Sequence, residues 1–406
     1  FRTLSRVWNG CRAFVVVAVA IFADLLHCAN PIAICSARSA QQSAGADWAP
    51  RNVPNSLKIF FPKSKYLDLD RSFVVGPEAK FGPLPGGKGG GSVTMPLFNK
   101  GVELDTTSPL TVLTTSKHQR QLVQNFGERP LAPADRKTVT VWQAEAACVQ
   151  EPMVIASTAA TTCCIVAIVS QDSSWAVVAH LDDRMPAQLP VLTSVVKEHT
   201  TDGQELQLYL VGGWGKQGKQ AAESTLKSLH ALPGRRLNVA LACVGRLNKH
   251  PDTGDVLQRD LAVDTATLVA HPGSAQGRGP LLAQRMARSW TSLHVAPLQF
   301  VYMPLPREPF GRMRIGPVPV DWTLVTRGFV QALQDSRDDE ILEETSTSPA
   351  QEAEGYVADV RAALAWLLAH PEGSMPHTDA EKDALFEWRH GQWTAAATAA
   401  AELVAA

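Results

Sequence analysis

Residues 157–183 read STAATTCCIVAIVSQDSSWAVVAHLDD. Two apolar runs, 163–169 and 175–180, flank a polar stretch of four residues, which is the pattern of a β-hairpin with a four-residue loop. With Ser170 paired to Trp175, the register sets Ile165 opposite His180 and Cys163 opposite Asp182. Residues two apart on a strand share a face, so Cys163, His180 and Asp182 are expected to project from one end of the hairpin. The diagonal Cys163–His180 separation in that register is about 7–8 Å at Cα, within reach of both side chains.

The hairpin sits among further short β-like runs at 138–142, 153–156, 205–211, 237–244, 261–269, 299–302 and 312–315. Helical spacing of apolar residues marks 190–199, 217–230 and 356–369. Ser348-Pro349-Ala350-Gln351 has the spacing of a capping box that would lead into the last of these. Nine expected strands against three or four helices predict an α/β (α+β) fold, a mixed or antiparallel sheet or paired sheets covered by helices. No long linker divides 137–371, so one catalytic domain is expected there.

Over the whole chain, 406 residues carry 38 basic and 39 acidic side chains, and 45% are hydrophobic. That supports a sizeable core, and near-neutrality argues against nucleic acid as a partner. The charge is uneven, since eleven basic and five acidic side chains fall in residues 1–94. Residues 13–26 form an apolar run behind Arg2, Arg6 and Arg12, too short to span a membrane and interrupted by Asp24. Three readings of this region stay open: a secretory signal, an organelle transit segment, or upstream sequence ahead of Met95 that is no part of the working protein. Residues 76–92 have linker composition, and the P-loop-like Gly82-x4-Gly87-Lys88 lacks the required hydroxyl residue at Gly89. The expected organisation is a basic extension over 1–94, a catalytic domain over 95–393 and an Ala-rich tail over 394–406.

Seven cysteines without a framework of spacings do not suggest a disulfide scaffold, and no paired CxxC or His pair supports a zinc site. A cysteine beside a histidine is the minimum equipment for nucleophilic acyl chemistry. The imidazole takes the thiol proton, stabilises the thiolate and later protonates the leaving group. Cys164 alternates to the opposite strand face and reads as a core residue. His199, His230, His250, His271 and His294 show no metal-ligand spacing, Gly212-Gly213 reads as a strand end where backbone passes closely, and Arg278-Gly279-Pro280 reads as a loop.

Ala160-Thr161-Thr162-Cys163 with Ile165-Val166, His180-x-Asp182, and Leu210-Val211-Gly212-Gly213 resemble the protein N-terminal asparagine amidohydrolases. Colinear matches continue through LNVALACVGRL at 237–247, Arg278-Gly279-Pro280, Arg314-Ile315-Gly316-Pro317, Ser346-Thr347-Ser348-Pro349 and Trp393. Met95-Pro96-Leu97 resembles the start of family members. The resemblance implies hydrolysis of the side-chain amide of an N-terminal asparagine to aspartate and ammonia. It implies Cys163 as nucleophile, no cofactor or metal, and a place in the N-degron pathway of cytoplasm and nucleus. A genuine signal in residues 1–30 would send the protein to an organelle or the secretory route instead.

The bacterial chemotaxis glutamine deamidases show a similar Cys-then-His order with a hydroxyl residue six positions before the cysteine. By that analogy His180 is the base and Ser157 orients it. Backbone N–H groups at Cys163 and Cys164 are expected to hold the oxyanion, and Asp182 to meet the substrate's α-ammonium. The expected partners are proteins or peptides with N-terminal asparagine, with no membrane and a monomeric enzyme. Internal glutamine or asparagine deamidation, or an inactive module that binds N-terminal asparagine, are the competing expectations. Thr158 and Ala159 stand where relatives carry acidic residues, which leaves any role of that charge open.

Overall fold

The computed structural model describes residues 97–104, 107–126, 136–170, 175–182, 185–232, 234–250, 252–273, 277–291, 298–303, 311–318, 320, 322, 325–371 and 384–396. The basic extension over 1–94, the hairpin loop 171–174, His294 and the tail beyond 396 lie outside the described residues.

The hairpin is the centre of the molecule. Strands β6 (Cys164–Ser170) and β7 (Trp175–Leu181) pair antiparallel, with Ser170 against Trp175 and Ile165 against His180. Thirteen of their fourteen side chains are wholly hidden and the other, His180, is 5% exposed, which explains the continuous apolar runs: both faces are covered. Each large aliphatic side chain so buried contributes about 1.5–3 kcal/mol.

Around the hairpin an eight-stranded mixed sheet runs in the order β12-β4-β7-β6-β8-β9-β1-β2. Its other members are β1 (Leu97–Asn99), β2 (Val102–Glu103), β4 (Glu145–Val149), β8 (Glu205–Gly212), β9 (Arg236–Val244) and β12 (Gln299–Tyr302). A second sheet, in the order β11-β10-β5-β3, holds β3 (Thr138–Val141), β5 (Val154–Ala160), β10 (Arg259–Asp264) and β11 (Val269–His271). A third has β13 (Arg312–Ile315), β14 (Ala384–Arg389) and β15 (Gln392–Ala395).

The two faces of the hairpin separate two cores. Cys164, Val166, Ile168, Val177 and Leu181 pack with helices α1 (Pro109–Thr115), α3 (Met185–His199) and α4 (Gly215–His230) through Leu113, Leu192 and Leu226. Helix α2 (Lys117–Phe126) follows α1. Ile165, Ala167, Val169 and Val178 face the second sheet through Val141, Ile155 and Leu261. The architecture is therefore helices on a sheet on a second sheet, the paired-sheet form of the expected class. A separate helical core joins α5 (Leu282–Thr291), α6 (Arg327–Gln334), α7 (Asp338–Thr345) and α8 (Tyr356–Ala369) through Ala287, Leu333, Ile341 and Leu364.

Several sequence expectations change. The run 261–269 is two strands, because the chain turns at Thr265–Leu268, where Leu268 takes φ +56°. Ser348-Pro349 opens only a three-residue 3-10 turn, and α8 begins at Tyr356 after Gly355 at φ +90°. β1, β2, β4, β14, β15 and five helices were not expected from periodicity, and β15 runs two residues beyond Trp393, into the expected tail.

Candidate active site

Cys163 lies on the crossover from the second sheet to the first, between the end of β5 and the start of β6. Backbone bonds from β8's end hold this turn: Gly213 N–H donates to Cys163 O at 2.7 Å and Trp214 N–H donates to Thr161 O at 2.8 Å. Gly212 sits at φ +92°, and a Cβ there would overlap the Cys163 carbonyl. Gly218, in the first turn of α4, is equally close to the Thr162 carbonyl. Glycine is required at both places because backbone passes against backbone. The positive end of the α4 dipole thus lies beside the turn, which favours an anion there. Cys163 is half-buried, whereas Cys148, Cys164 and Cys243 are buried, and burial pushes the thiols of Cys148 and Cys164 up to about 12.

His180 on β7 meets Ser157 on β5 across the space between the sheets, with Ser157 Oγ 2.9 Å from His180 Nδ1. The Ser157 hydroxyl is also 2.8 Å from Val141 O on the neighbouring strand. A carbonyl can only accept, so the single hydroxyl proton goes to Val141, and the ring contact is satisfied when His180 Nδ1–H donates to Ser157 Oγ. That tautomer leaves Nε2 with a bare lone pair. Burial lowers the His180 pKa to about 4, although Asp182 and then Glu145 pull it upward. The imidazole is therefore neutral at pH 7.

Asp182 is 3% exposed. Its carboxylate accepts from Gln188 Nε2 at 2.7 Å and from Gln143 Nε2 at 3.2 Å, while its own N–H donates to Gln188 Oε1 at 3.0 Å. The sequence names neither glutamine. At residues 158–159, β5 bulges against β10, and Ala159 takes φ +65° with its N–H donating to Asp260 Oδ1 at 2.9 Å. The acidic side chain at this bulge is Asp260, from the partner strand, and burial pushes its carboxyl up against the bond from Ala159.

The turn that carries Trp142 and Gln143 is anchored by a buried charge cluster. Glu145 binds Arg285 Nη2 at 2.5 Å and also pairs with Arg288. Arg285 donates further to Thr140 O at 2.5 Å and Arg278 O at 3.2 Å. Burial pushes the Glu145 carboxyl up, but the two guanidinium groups outweigh it and hold the pKa below the usual range. Arg278-Gly279-Pro280 therefore wraps Arg285, with the Arg278 side chain paired to Asp359 on α8.

Opposite that turn, the chain between α7 and α8 lies over the nucleophile turn. Thr162 Oγ1 and Thr347 Oγ1 are 2.8 Å apart, and burial pushes the Tyr356 phenol up to about 12. Periodicity did not point to this segment, though the Ser346–Pro349 match to the family did. Of the expected site residues, Ser157 and His180 are in contact, Asp182 faces two glutamines, and Cys163 immediately precedes β6, the strand paired with the one that carries His180. Among the described residues no group of three His, Cys, Asp or Glu side chains is disposed to hold a metal ion.

Comparison with known proteins places this arrangement. The human protein N-terminal asparagine amidohydrolase is 27% identical over 265 residues, 64% of this chain and 80% of the human protein. The Mus musculus enzyme of the same name is 27% identical over 259 residues, 62% of this chain and 79% of its own length. A model of that family matches residues 130–395, from just before β3 to the last residue of β15. With nearly two thirds of its length so matched, the chain belongs to the protein N-terminal asparagine amidohydrolase family.

Proposed function

We propose that the protein hydrolyses the side-chain carboxamide of an N-terminal asparagine, releasing ammonia and leaving N-terminal aspartate, with Cys163 as the nucleophile. The observation that carries this reading is the Val141–Ser157–His180 chain, which leaves a neutral imidazole with its base nitrogen available on the hairpin that Cys163 heads. His180 takes the Cys163 proton, and the thiolate attacks the carboxamide carbon. Backbone N–H groups at Cys163 and Cys164, with the α4 dipole behind them, hold the oxyanion. The imidazolium returns its proton to the departing nitrogen, ammonia leaves, and a thioester remains. His180 then deprotonates water, whose attack expels the thiolate and regenerates the thiol. Asp182 serves His180 in this scheme: its charge supports the imidazolium that forms, and Gln143 and Gln188 fix it in place. The product, an N-terminal aspartate, would enter the N-degron route in cytoplasm or nucleus. Among the described residues no helix is long and apolar enough to cross a membrane.

The test compares an Asn-leading peptide, its α-acetylated form and an intact folded protein by mass spectrometry. A gain of 1 Da with ammonia release on the unblocked peptide alone is expected. Equal conversion of the acetylated peptide, or conversion of internal residues only, would replace this reading with general deamidation. Stoichiometric binding without mass change would mark a recognition module.

Ser157→Ala tests the tautomer argument. Without the hydroxyl, His180 loses the acceptor that fixes Nδ1–H, and kcat is expected to fall up to about 10²-fold, part of what a positioned base supplies. KM should hold, because Ser157 does not face the substrate. A changed KM with unchanged kcat would contradict the assigned role.

A further inference from the structure

Asp182 stands just past the end of β7, two residues after His180, where the chain turns into α3. Its carbonyl accepts from Met185 N–H at 3.2 Å, which sets the start of that helix. Gln188, in the first turn of α3, is wholly buried. Its Nε2 donates to Asp182 Oδ1 at 2.7 Å, and its Oε1 accepts from the Asp182 N–H at 3.0 Å. One amide therefore closes on both the main chain and the side chain of Asp182.

That clasp fixes more than position. A backbone N–H can only donate, so the amide oxygen of Gln188 must face it, and the amide nitrogen must face Oδ1. Oδ2 accepts in turn from Gln143 Nε2 at 3.2 Å. Each carboxylate oxygen thus meets an N–H donor, and both bonds are made when both oxygens accept, as they do in the ionised form. The two donors are not equivalent. Gln143 is exposed, so water can take its place, whereas Gln188 is sealed from solvent and nothing can replace it. The residue type matters as well. A lysine or arginine at 188 would hold the carboxylate but answer its charge, as Arg285 and Arg288 answer Glu145. An amide holds the carboxylate and leaves its charge to act on His180, where it opposes the effect of burial on the imidazolium.

We propose that Gln188 is the positioning residue of the base: its neutral amide holds Asp182 ionised and aimed, so that the Asp182 charge supports the His180 imidazolium. The inference rests on the part of the amidohydrolase reading in which His180 serves Cys163, and not on the identity of the substrate. In the step concerned, the Cys163 thiol proton passes to His180 Nε2, giving thiolate and imidazolium, and Asp182 keeps its charge throughout. Without the Gln188 amide, the Asp182 N–H and Oδ1 both lose a partner in a dry site and the carboxylate is no longer held. The imidazolium then loses its support, and the thiolate population falls with it.

The test is a double-mutant cycle on the full-length protein, comparing wild type, Gln188→Met, Asp182→Asn and the double variant. Its readout is the rate of Cys163 alkylation by iodoacetamide at one pH, quantified at that residue by peptide mass spectrometry. Gln188→Met keeps the side chain's length and removes both polar atoms. It is expected to slow alkylation by about 10-fold, the lower end of what a hydrogen bond to a charged group is worth. Asp182→Asn should slow it at least as much, and adding Gln188→Met to Asp182→Asn should change the rate by less than about 2-fold, because the charge that Gln188 manages is already gone. A merely structural role for Gln188 would instead multiply the two losses, and that result overturns the inference. A wild-type rate in folded Gln188→Met or in Asp182→Asn overturns it too. If melting shows Gln188→Met to be unfolded, Gln188→Asn, which withdraws the amide by one methylene, enters the same cycle under the same criteria. With an Asn-leading peptide, kcat should fall in step with the alkylation rate while KM holds. Absence of turnover by the wild type would sink the amidohydrolase reading, while the alkylation cycle still decides Gln188.

Discussion

Replacing His180 by alanine is expected to lower kcat/KM for an Asn-leading peptide by about 10²–10⁴-fold, the range a positioned acid–base group supplies. The same ring acts at least three times in the proposed cycle: on the thiol, on the departing ammonia and on the attacking water. Its loss is therefore felt in both halves of the reaction. The ring's environment also predicts where activity fades. With His180 lowered to about 4 by burial, the acid limb of kcat/KM set by this group should lie well below the ordinary histidine value of 6.5. The stability consequence has the same window. Between pH 6.5 and about 4 the unfolded chain binds a proton that the folded chain does not, so this group's contribution is complete above 6.5 and is lost as pH falls toward 4. An acid limb at 6.5 in the wild type, absent when His180 is replaced, would show an exposed imidazole and contradict the geometry.

Glu145→Ala should be the most damaging substitution for the fold. It removes the carboxylate that the buried guanidinium groups of Arg285 and Arg288 both bind, and leaves two cations buried close together. Removing one partner of a buried ion pair costs about 3–5 kcal/mol. Against a total stability of about 5–15 kcal/mol, that is a large fraction. Thermal melting or urea titration would read it, and a loss under about 1 kcal/mol would show that the cluster is not structural. Activity should fall as well, because Trp142 N–H donates to Glu145 Oε2 at 2.9 Å and Gln143 on the same turn holds Asp182. Glu145 also carries a pH signature of opposite origin to that of His180. Its folded pKa is lowered by the two arginines, so its contribution is present above the usual glutamate value and is lost as pH falls through the depressed one.

Legibility in the sequence followed the physics of burial. The hairpin could be read because both of its faces are apolar and its loop is short, and the register Ile165–His180 follows from those two facts. Helices 215–230 and 356–369 announced themselves because each packs one aliphatic stripe. α5 did not, because its buried face contains Arg285 and Arg288, which a count of apolar spacing scores as solvent-facing. β4 was hidden for a related reason: it opens with a buried glutamate whose partners lie 140 residues away. The capping-box spacing at Ser348 misled because Ser346 and Glu352 bond across the turn and close it before a helix can extend. At the site, Cys163 and His180 came from one hairpin. Ser157 came only through the analogy with the chemotaxis glutamine deamidases, because its contact is made between sheets. Gln143 and Gln188 lie on two other segments, and only the folded chain brings them to Asp182.

The most direct measurement incubates one Asn-leading peptide with wild-type protein and with Cys163→Ala, following peptide mass and ammonia together. The account predicts a 1 Da gain with one ammonia per peptide from the wild type, and no conversion above background from Cys163→Ala at an unchanged melting temperature. Conversion by Cys163→Ala at the wild-type rate would contradict it.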